Sequence, residues 1–426
     1  MTTEQSIATR LAAGDREAIR LTCRGPLRLR HDNLVERPWG GLRMLDYKGC
    51  YPLPAQKQLT GLGLGEAFET AACDRDGESA AFPSTVVLAD GSEIALPRLV
   101  ELAADSILGQ DLVTRHGRHI PLLPKTLDIE ELLSVQAHPP GNTELYVILD
   151  ADPGASIRLG FREQIDPVQL RQRLHRGRAR QRDLLGLLAD DVDQHALHAT
   201  LAPLLAQRTI KPSEAGEALS GWLRSGQSGR ELETVFGQLH ATYWYVLDLM
   251  NEVVVRPGQV LFNANPERIM SASQNPRSAE VHALGNPGQK EILMLEIRRP
   301  GVTYRAWDNV RFPVREIDID KTLDALNLEP TEAEEFFVEP RLLAPGVERL
   351  ADSEHFIVDR LCPDDSAVVL DDDRFATMHA IAGACRLQSD SADEALPCGH
   401  TAVIPASARG LRLTGAGTVI RVQLPR

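Results

Sequence analysis

The sequence has few cysteines, no long apolar run and a deficit of positive charge. Its six cysteines are scattered and form no C-x-x-C pair, which argues against a thiolate zinc site or a redox motif. Free, buried thiols in a reducing compartment are expected instead. No apolar run reaches the length of a membrane span, and the first twenty residues are polar. These features predict a cytoplasmic protein that does not associate with a membrane.

The charge balance limits the class of partner. The chain has 46 lysines and arginines against 60 aspartates and glutamates, a net charge of −14, which disfavours nucleic acid. The glycine-rich segment 61–68 is not followed by Lys-Ser or Lys-Thr, so it lacks the features of a phosphate-binding P-loop. A length of 426 residues predicts two or three domains.

The order of secondary-structure signals predicts a mainly β protein with a helical insertion. Residues 165–250 show helical periodicity, whereas short strand-like runs separated by Pro-Gly and Asn-Pro turns follow them. Further helices are expected at 5–20 and 321–337. We predict two β-barrels. Residues 1–164 and 251–330 form the first barrel, 165–250 form an inserted helical domain, and 331–426 form the second barrel.

The segment 132–150 carries side chains that suit a metal ion. Side chains alternate along a strand, so Ser134, Gln136 and His138 share one face. A Pro-Pro-Gly-Asn turn follows, and a hairpin at this turn is expected to bring Glu144 beside His138. Polar groups on the inner face of a barrel are costly without a shared partner. A divalent metal bound by the amide, the imidazole and the carboxylate is such a partner.

The fourth ligand must come from another part of the chain. His282 is the best candidate of the twelve histidines because it lies on a later strand of the same predicted barrel. Two histidines, a glutamine and a glutamate offer no thiolate and leave room for a substrate oxygen around Zn²⁺. This donor set favours a catalytic Lewis acid over a structural zinc.

Basic side chains are concentrated in two further segments. Segment 295–313 contains Arg298, Arg299, Arg305 and Arg311, and Lys125 lies in an apolar setting shortly before the predicted metal site. Arginine suits bidentate recognition of phosphate or carboxylate. These residues either contact an anionic sugar substrate or pair with the many acidic residues. Six arginines between 171 and 182 are expected to form a solvated helix face, with contact to an anionic partner as the alternative.

Around these residues the sequence resembles class I mannose-6-phosphate isomerase, a zinc enzyme of the cupin superfamily. The matching segments are RPWGG (37–41), GLGEAFETA (63–71), IPLLPKTLDIEELLSVQAHP (120–139), TELYVILDADPGASIRLGF (143–161), EVHALG (280–285), LEIRRPGVTYRAWDNVR (295–311) and, more weakly, HTAVIPAS (400–407). The combination of Q-A-H with T-E-L-Y-V-I-L-D-A is the specific part of the match.

The resemblance implies two cupin barrels with a helical insertion and one Zn²⁺ per chain. It implies metal ligands at Gln136, His138, Glu144 and His282. It further implies that Arg305 assists proton transfer in the pocket, and that Ser134 and Lys125 line the pocket and help to bind a phosphate. The implied reaction interconverts mannose 6-phosphate and fructose 6-phosphate through a cis-enediol.

Three departures from the family pattern lie near the predicted pocket. An apparent insertion displaces His282 from the family pattern P-A-G-x-x-H-A. In addition, Asn142 stands where the family usually has lysine, and Arg298-Arg299-Pro300-Gly301 replaces a segment that usually begins with Gln-Gln. The last two departures favour a second hypothesis, in which an isomerase of the same fold acts on another sugar or sugar phosphate. A third hypothesis is a sugar-binding cupin protein without catalytic activity, and a metal-dependent cupin oxygenase is a fourth.

Overall fold

The computed structural model describes residues 5–50, 63–73, 77–139, 142–263, 280–363, 366–370 and 373–425. These residues form a mainly β structure with a block of helices, as the sequence predicts. One of the strand-like runs that follow residue 250, at 268–273, the Pro140-Gly141 part of the predicted turn and the start of the glycine-rich segment lie outside the described residues.

The strands are β1 (Leu27–Arg28), β2 (Leu34–Arg37), β3 (Gly63–Phe68), β4 (Thr85–Val87), β5 (Glu93–Ala95), β6 (Lys125–Ile129), β7 (Val135–Ala137), β8 (Leu145–Ala151), β9 (Ser156–Phe161), β10 (Met250–Val254), β11 (Val260–Phe262), β12 (His282–Ala283), β13 (Ile292–Ile297), β14 (Tyr304–Trp307), β15 (Arg341–Ala344), β16 (Val347–Asp352), β17 (Ile357–Leu361), β18 (Val368–Val369), β19 (Ala376–Gln388), β20 (Asp393–Pro397), β21 (Thr401–Ile404) and β22 (Arg412–Gln423). The α-helices are α1 (Ile7–Ala12), α2 (Arg16–Thr22), α3 (Arg43–Lys48), α4 (Gly77–Ala81), α5 (Leu96–Ile107), α6 (Gln110–His116), α7 (Pro167–Leu187), α8 (Gln194–Ala206), α9 (Pro212–Leu219), α10 (Gly229–Asp248) and α11 (Ile319–Ala325). Ser220–Trp222 and Ala333–Phe336 are 3₁₀ helices.

Two antiparallel sheets face each other around a shared core. One has the strand order β11-β8-β13-β6-β3-β2 and the other the order β10-β9-β12-β7-β14. Apolar side chains from both sheets fill the space between them, among them Leu127, Ile148 and Met294 from the first and Ile157, Leu159 and Val253 from the second. Alternate residues of each strand therefore point inward, and any polar residue in that series faces the interior.

The helices α7 to α10 pack against the outer face of the five-stranded sheet. Val135 and Ala137 of β7 contribute to the apolar cluster that includes Leu174 and Phe236 of these helices. Asp166 precedes α7 and caps it by accepting the backbone N–H groups of the following turn, with proline at the first helical position. No helix within the described ranges combines the length and the apolar character that crossing a membrane requires.

A nine-stranded sheet forms the C-terminal part of the structure. Its main order is β1-β21-β19-β22-β17-β16-β15, with β18 paired to β22 and β20 paired to β19. Leu27 pairs with Val403, so the N-terminal residues contribute a strand to this C-terminal sheet. The sheet has an apolar cluster of its own, and a second cluster joins it to α5 and to the outer face of the six-stranded sheet.

The helix predicted at 321–337 is present only in part. The helix α11 ends at Ala325, and only a 3₁₀ turn over Ala333–Phe336 follows. Between them the chain pairs with the end of β9, where the N–H of Thr331 donates to the carbonyl of Phe161 at 2.8 Å. Pro330 lacks an N–H and disfavours helical backbone at the residue before it, so this pairing replaces the helix.

Glycines in the Trp39-Gly40-Gly41 turn allow a close backbone contact, as the sequence predicts. A Cβ at Gly40 would lie 2.4 Å from the backbone nitrogen of Gly65, so only glycine fits against β3 at this point. Gly40 and Gly41 form isolated bridges to β6 and β3, respectively. The turn thereby places Trp39 beside the interior of the two-sheet unit.

The cysteines and the arginine run at 171–182 were also subjects of prediction. All six cysteines are free thiols, as predicted, and four of them are buried while two are half-buried. Most of the arginine run at 171–182 lies at the surface, where Arg171 pairs with Asp320 and Arg180 pairs with Asp183. Arg178 departs from this pattern because it is buried and donates to the carbonyl of Arg315.

Candidate metal centre

Three of the predicted site residues lie in one row across the five-stranded sheet. Gln136 on β7 is in register with His282 on β12 and with Arg305 on β14. Its neighbours along the strand, Val135 and Ala137, pack outward against the helices. Because side chains alternate, Gln136 and its two cross-strand partners face the interior between the sheets.

A second row faces the first from the six-stranded sheet. Glu296 on β13 is in register with Lys125 on β6 and with Tyr146 on β8. Lys125 begins the inward-facing series that continues with Leu127. The interior between the two sheets therefore changes from apolar to polar where these two rows meet.

The predicted hairpin between Gln136 and Glu144 is wrong, although the contact expected from it is present. Strand β7 pairs with β12 and β14, whereas β8 pairs with β11 and β13 in the opposite sheet. The chain crosses from one sheet to the other between His138 and Glu144. The two side chains meet across the interior, with His138 Nε2 2.6 Å from Glu144 Oε1.

His282 completes a group of three buried metal-ligand types. Its Nε2 lies 3.4 Å from the second carboxylate oxygen of Glu144, and its ring stacks on that of His138 with centroids 5.2 Å apart. One ligand atom from each of His138, Glu144 and His282 lies within 4.8 Å of the others. All three side chains are at most 2% exposed. Side chains this close can share one ion.

Gln136 lies at the edge of this group. Its amide nitrogen is 3.1 Å from His282 Nε2, and its amide oxygen accepts a hydrogen bond of 2.9 Å from Ser134 Oγ. A half-turn of the amide exchanges the two atoms and directs the oxygen toward His282. The four side chains then offer two nitrogens and two kinds of oxygen, a donor set that fits Zn²⁺.

Electrostatics favour the ligand forms of these residues. Burial alone raises the pKa of Glu144, but attraction from His138 and Arg298 outweighs it and holds this pKa well below its usual range. Burial lowers the pKa of His282 to about 4. The carboxylate is therefore ionised and the imidazole of His282 neutral near pH 7, as metal coordination requires.

Two polar residues that we did not predict support the group. The Tyr146 hydroxyl donates to Glu144 Oε2, and Asn263 Nδ2 lies 3.3 Å from that hydroxyl and 3.1 Å from His282 Nδ1. Groups of this kind orient metal ligands. The position of Tyr146, two residues after Glu144 on the same strand face, was an available signal. Asn263 carried no comparable sequence signal.

A cleft with a volume of about 310 Å³ opens beside the ligands. Ser134, Gln136 and two acidic residues, Glu66 and Glu296, are among the residues that line it. Six basic side chains also line the cleft: Arg37, Lys125, Arg298, Arg305, Arg311 and Arg315. The excess of basic over acidic side chains suits an anionic ligand.

Several of the basic side chains already have acidic neighbours. Lys125 Nζ lies 3.2 Å from Glu66 Oε1 and 4.7 Å from the centre of the Phe68 ring, and Arg37 also pairs with Glu66. The basic residues were predicted either to contact an anionic substrate or to pair with acidic residues. The structure shows ion pairs among side chains that also line the cleft, so the two alternatives do not exclude each other.

The four arginines predicted in segment 295–313 are divided by the fold. Arg298, Arg305 and Arg311 line the cleft. Arg299 instead contacts the C-terminal part of the chain, where its Nη1 lies 3.3 Å from His355 Nδ1. Neighbouring residues in the sequence thus have different environments.

The sequence matches no protein-family profile and no curated protein. The structure is similar to solved phosphomannose isomerases over nearly the whole chain. The mannose 6-phosphate isomerase from Bacillus subtilis is 18% identical, with a TM-score of 0.61 over 94% of this chain and 100% of that chain. A variant of phosphomannose isomerase from Salmonella typhimurium gives the same identity, coverage and TM-score. A mannose 6-phosphate isomerase bound with zinc and yttrium is 18% identical, with a TM-score of 0.59 over 94% and 99% of the chains. The resemblance seen in the sequence is confirmed at the level of the fold.

Proposed function

We propose that the protein is a zinc-dependent aldose–ketose isomerase that interconverts mannose 6-phosphate and fructose 6-phosphate. Zn²⁺, one per chain, is bound by Gln136, His138, Glu144 and His282. Arg305 is the catalytic arginine. Lys125 and Ser134 bind the substrate.

One observation carries this proposal. A buried carboxylate contacts two imidazoles, and the group lies next to a cleft lined by six basic side chains. A metal site without an anion-binding cleft, or a basic cleft without the ligands, would support only half of the reaction. The similarity to phosphomannose isomerase structures supports the choice of sugar phosphate, and one of those structures is described as bound with zinc.

Each of the proposed roles follows from where the side chains lie. A bound divalent ion supplies a Lewis acid that polarises the carbonyl of an open-chain sugar. Arg305 faces the same interior from the strand beside Gln136 and stabilises the negative charge that develops on oxygen when the proton leaves C2. Lys125 and Ser134 line the cleft and bind the phosphate end of the substrate, which orients C1 and C2 toward Arg305. A general base takes the proton from C2 and returns a proton to C1 of the cis-enediol.

The proposal includes a domain organisation and a location. The two facing sheets form a catalytic cupin barrel from residues 1–164 and 251–330, the helices at 165–250 form an inserted domain, and residues 331–426 form a C-terminal cupin-like domain. The enzyme is cytoplasmic, and its partner is a small sugar phosphate rather than nucleic acid or a membrane.

A second candidate is the same isomerase chemistry on another sugar or sugar phosphate. It is favoured by the contact between Arg298 and the metal ligands, because this arginine adds a positive charge at the reacting end of the cleft. Mannose 6-phosphate carries its negative charge at the opposite end of the open chain. A substrate with an additional anionic group near the reacting carbons would suit that charge better.

The two candidates are separated by a coupled assay with added Zn²⁺. We expect mannose 6-phosphate to be converted to fructose 6-phosphate, with uptake of solvent deuterium at the transferred position. A panel of other sugar phosphates and free sugars is measured in parallel. Failure of the zinc-loaded protein to turn over mannose 6-phosphate contradicts the first candidate, and turnover of another member of the panel then supports the second.

A further inference from the structure

Arg298 lies against the candidate metal ligands themselves, not only in the cleft. It follows β13 and is 3% exposed. Its Nη1 lies 3.4 Å from both ring nitrogens of His138 and 3.5 Å from Glu144 Oε1. A guanidinium group therefore contacts two of the proposed ligands, at a position where this sequence departs from the family pattern.

The position of this guanidinium is fixed by hydrogen bonds of Arg298 itself and of the residue that follows it. Arg298 Nη2 donates to the carbonyl of Gly301 at 3.1 Å. Asn142 accepts from the N–H of Arg299 and donates to its carbonyl, each at 3.3 Å. Asn142, which also departs from the family pattern, thus anchors the backbone next to Arg298.

The charge of Arg298 has two consequences for a metal site at these residues. Arginine keeps its proton throughout the physiological range, so its positive charge is permanent. Placed against Glu144, it already compensates the single negative charge of the donor set and repels an incoming divalent cation. The same charge attracts an anionic oxygen that approaches the ion from the cleft.

We propose that Arg298 is a positioning residue of the metal centre that lowers its affinity for a divalent cation and raises its affinity for an oxyanion. This inference rests on the metal site of the proposed function. It deepens the second candidate function by naming a substrate class, namely sugar phosphates that present an anionic oxygen at the reacting carbons in addition to the phosphate.

Metal affinity tests the first half of the proposal without any turnover. Dissociation constants for Co²⁺ are measured by competition with a chromophoric chelator for the wild type and for Arg298→Gln, Arg298→Met and Arg298→Lys. We expect the two neutral variants to bind Co²⁺ about tenfold tighter and the lysine variant to bind it as the wild type does. Arg299→Gln is the matched control, because this neighbouring arginine contacts His355 outside the cleft, and its affinity should be unchanged.

Azide binding to the cobalt-loaded proteins tests the second half. Azide changes the visible absorption of Co²⁺ when it binds beside the ion, so its dissociation constant is read directly. We expect azide to bind about tenfold more weakly to the two neutral variants, with binding restored in Arg298→Lys and unchanged in Arg299→Gln.

The outcomes separate this inference from the proposed function. The inference is overturned if both neutral variants bind Co²⁺ no more tightly than the wild type. It is also overturned if they bind azide as tightly as the wild type does. Equal Co²⁺ binding by the wild type and His138→Ala shows that the metal site itself is wrong and overturns both. The third outcome is that the Co²⁺ and azide affinities change as expected but the wild-type protein does not convert mannose 6-phosphate. This outcome supports the role of Arg298 and contradicts only the first candidate function.

Discussion

Two buried polar clusters in this protein contain similar residues but differ in what surrounds them. The candidate metal centre combines Glu144 with His138 and His282. At the junction with the C-terminal sheet, a second cluster combines Glu69 with Lys48 and His379. Burial lowers the pKa of both His282 and His379 to about 4. Burial, composition and pKa alone therefore do not distinguish a functional site from a structural one.

The difference lies in where the polar atoms are directed. In the second cluster Glu69 accepts from Lys48, Thr126 and Thr401, and Lys48 also donates to the carbonyl of Gly399 at 2.8 Å. His379 lies between two threonine hydroxyls, 2.8 Å from one and 3.0 Å from the other. These contacts satisfy the cluster internally, so it joins two parts of the fold and presents no donor atoms to a ligand.

In the candidate metal centre the donor atoms converge on one another instead. Both carboxylate oxygens of Glu144 approach imidazole nitrogens, and the neighbouring Gln136 lines an open cleft. Convergence of donor atoms next to a cleft, rather than burial of charge, therefore marks the candidate site.

His138→Ala removes one proposed ligand, and we expect the variant to fold. We expect loss of bound metal and a fall in turnover on the order of 10³-fold, because the Lewis acid contributes several kcal/mol to the reaction. Metal content is measured by elemental analysis, turnover by the coupled assay and folding by circular dichroism. Retention of a full equivalent of metal in a folded variant would show that His138 is not a ligand.

Arg305→Ala distinguishes a catalytic role of this arginine from a role in metal binding. Arg305 lies beside Gln136 in the strand register but outside the group of ligands. We expect metal content to stay at the wild-type level and kcat to fall by about 10²–10³-fold, the usual effect of removing one oxyanion-stabilising donor. Arg305→Lys is the matched variant and should recover part of kcat. Loss of metal in Arg305→Ala would contradict the assigned role.

Glu69→Ala tests the second cluster. It leaves the ammonium group of Lys48 buried without its carboxylate, which costs about 3–5 kcal/mol of the free energy of unfolding. We expect a lower unfolding temperature and an unchanged dissociation constant for Co²⁺ in the folded protein. The double variant Lys48→Met with Glu69→Leu removes both charges and should recover most of the stability. A large change in metal affinity would show that the two clusters are not independent.

A third buried carboxylate, Asp128, differs from the other two because its neighbour is another acid. Burial and hydrogen bonding to Glu291 raise the pKa of Asp128 to about 8. The folded protein therefore keeps a proton that the unfolded chain releases above its ordinary pKa near 4. The contribution of Asp128 to the free energy of unfolding is therefore fully present at low pH and declines as the pH rises from about 4 to 8.

Asp128→Asn removes this dependence and has the smallest expected effect. An amide donates to Glu291 at every pH and still accepts the N–H of Met44, which lies 2.7 Å from Asp128 Oδ2. The unfolding temperature of the variant should exceed that of the wild type by a margin that grows from pH 5 to pH 8. Thermal unfolding followed by circular dichroism at each pH measures the margin. A constant margin across this range would argue against a raised pKa.

Local patterns were sufficient to predict part of the candidate site. Alternation along β7 correctly predicted that Gln136 faces the interior between Val135 and Ala137, which face the helices. The helical period of 165–250 likewise predicted α7 to α10. Both patterns depend on residues that are neighbours in the sequence, where backbone geometry determines which side chains share a face.

The sequence by itself determined which chemical groups are present and which face of its own strand each one takes. Only the tertiary structure decided which groups meet. It placed β7 and β8 in opposite sheets, so that His138 and Glu144 meet across an interior rather than along a hairpin. It also brought Arg298 onto the ligands and turned Arg299 away. Contacts between distant segments depend on how whole sheets pack, and no local period in the sequence encodes that packing.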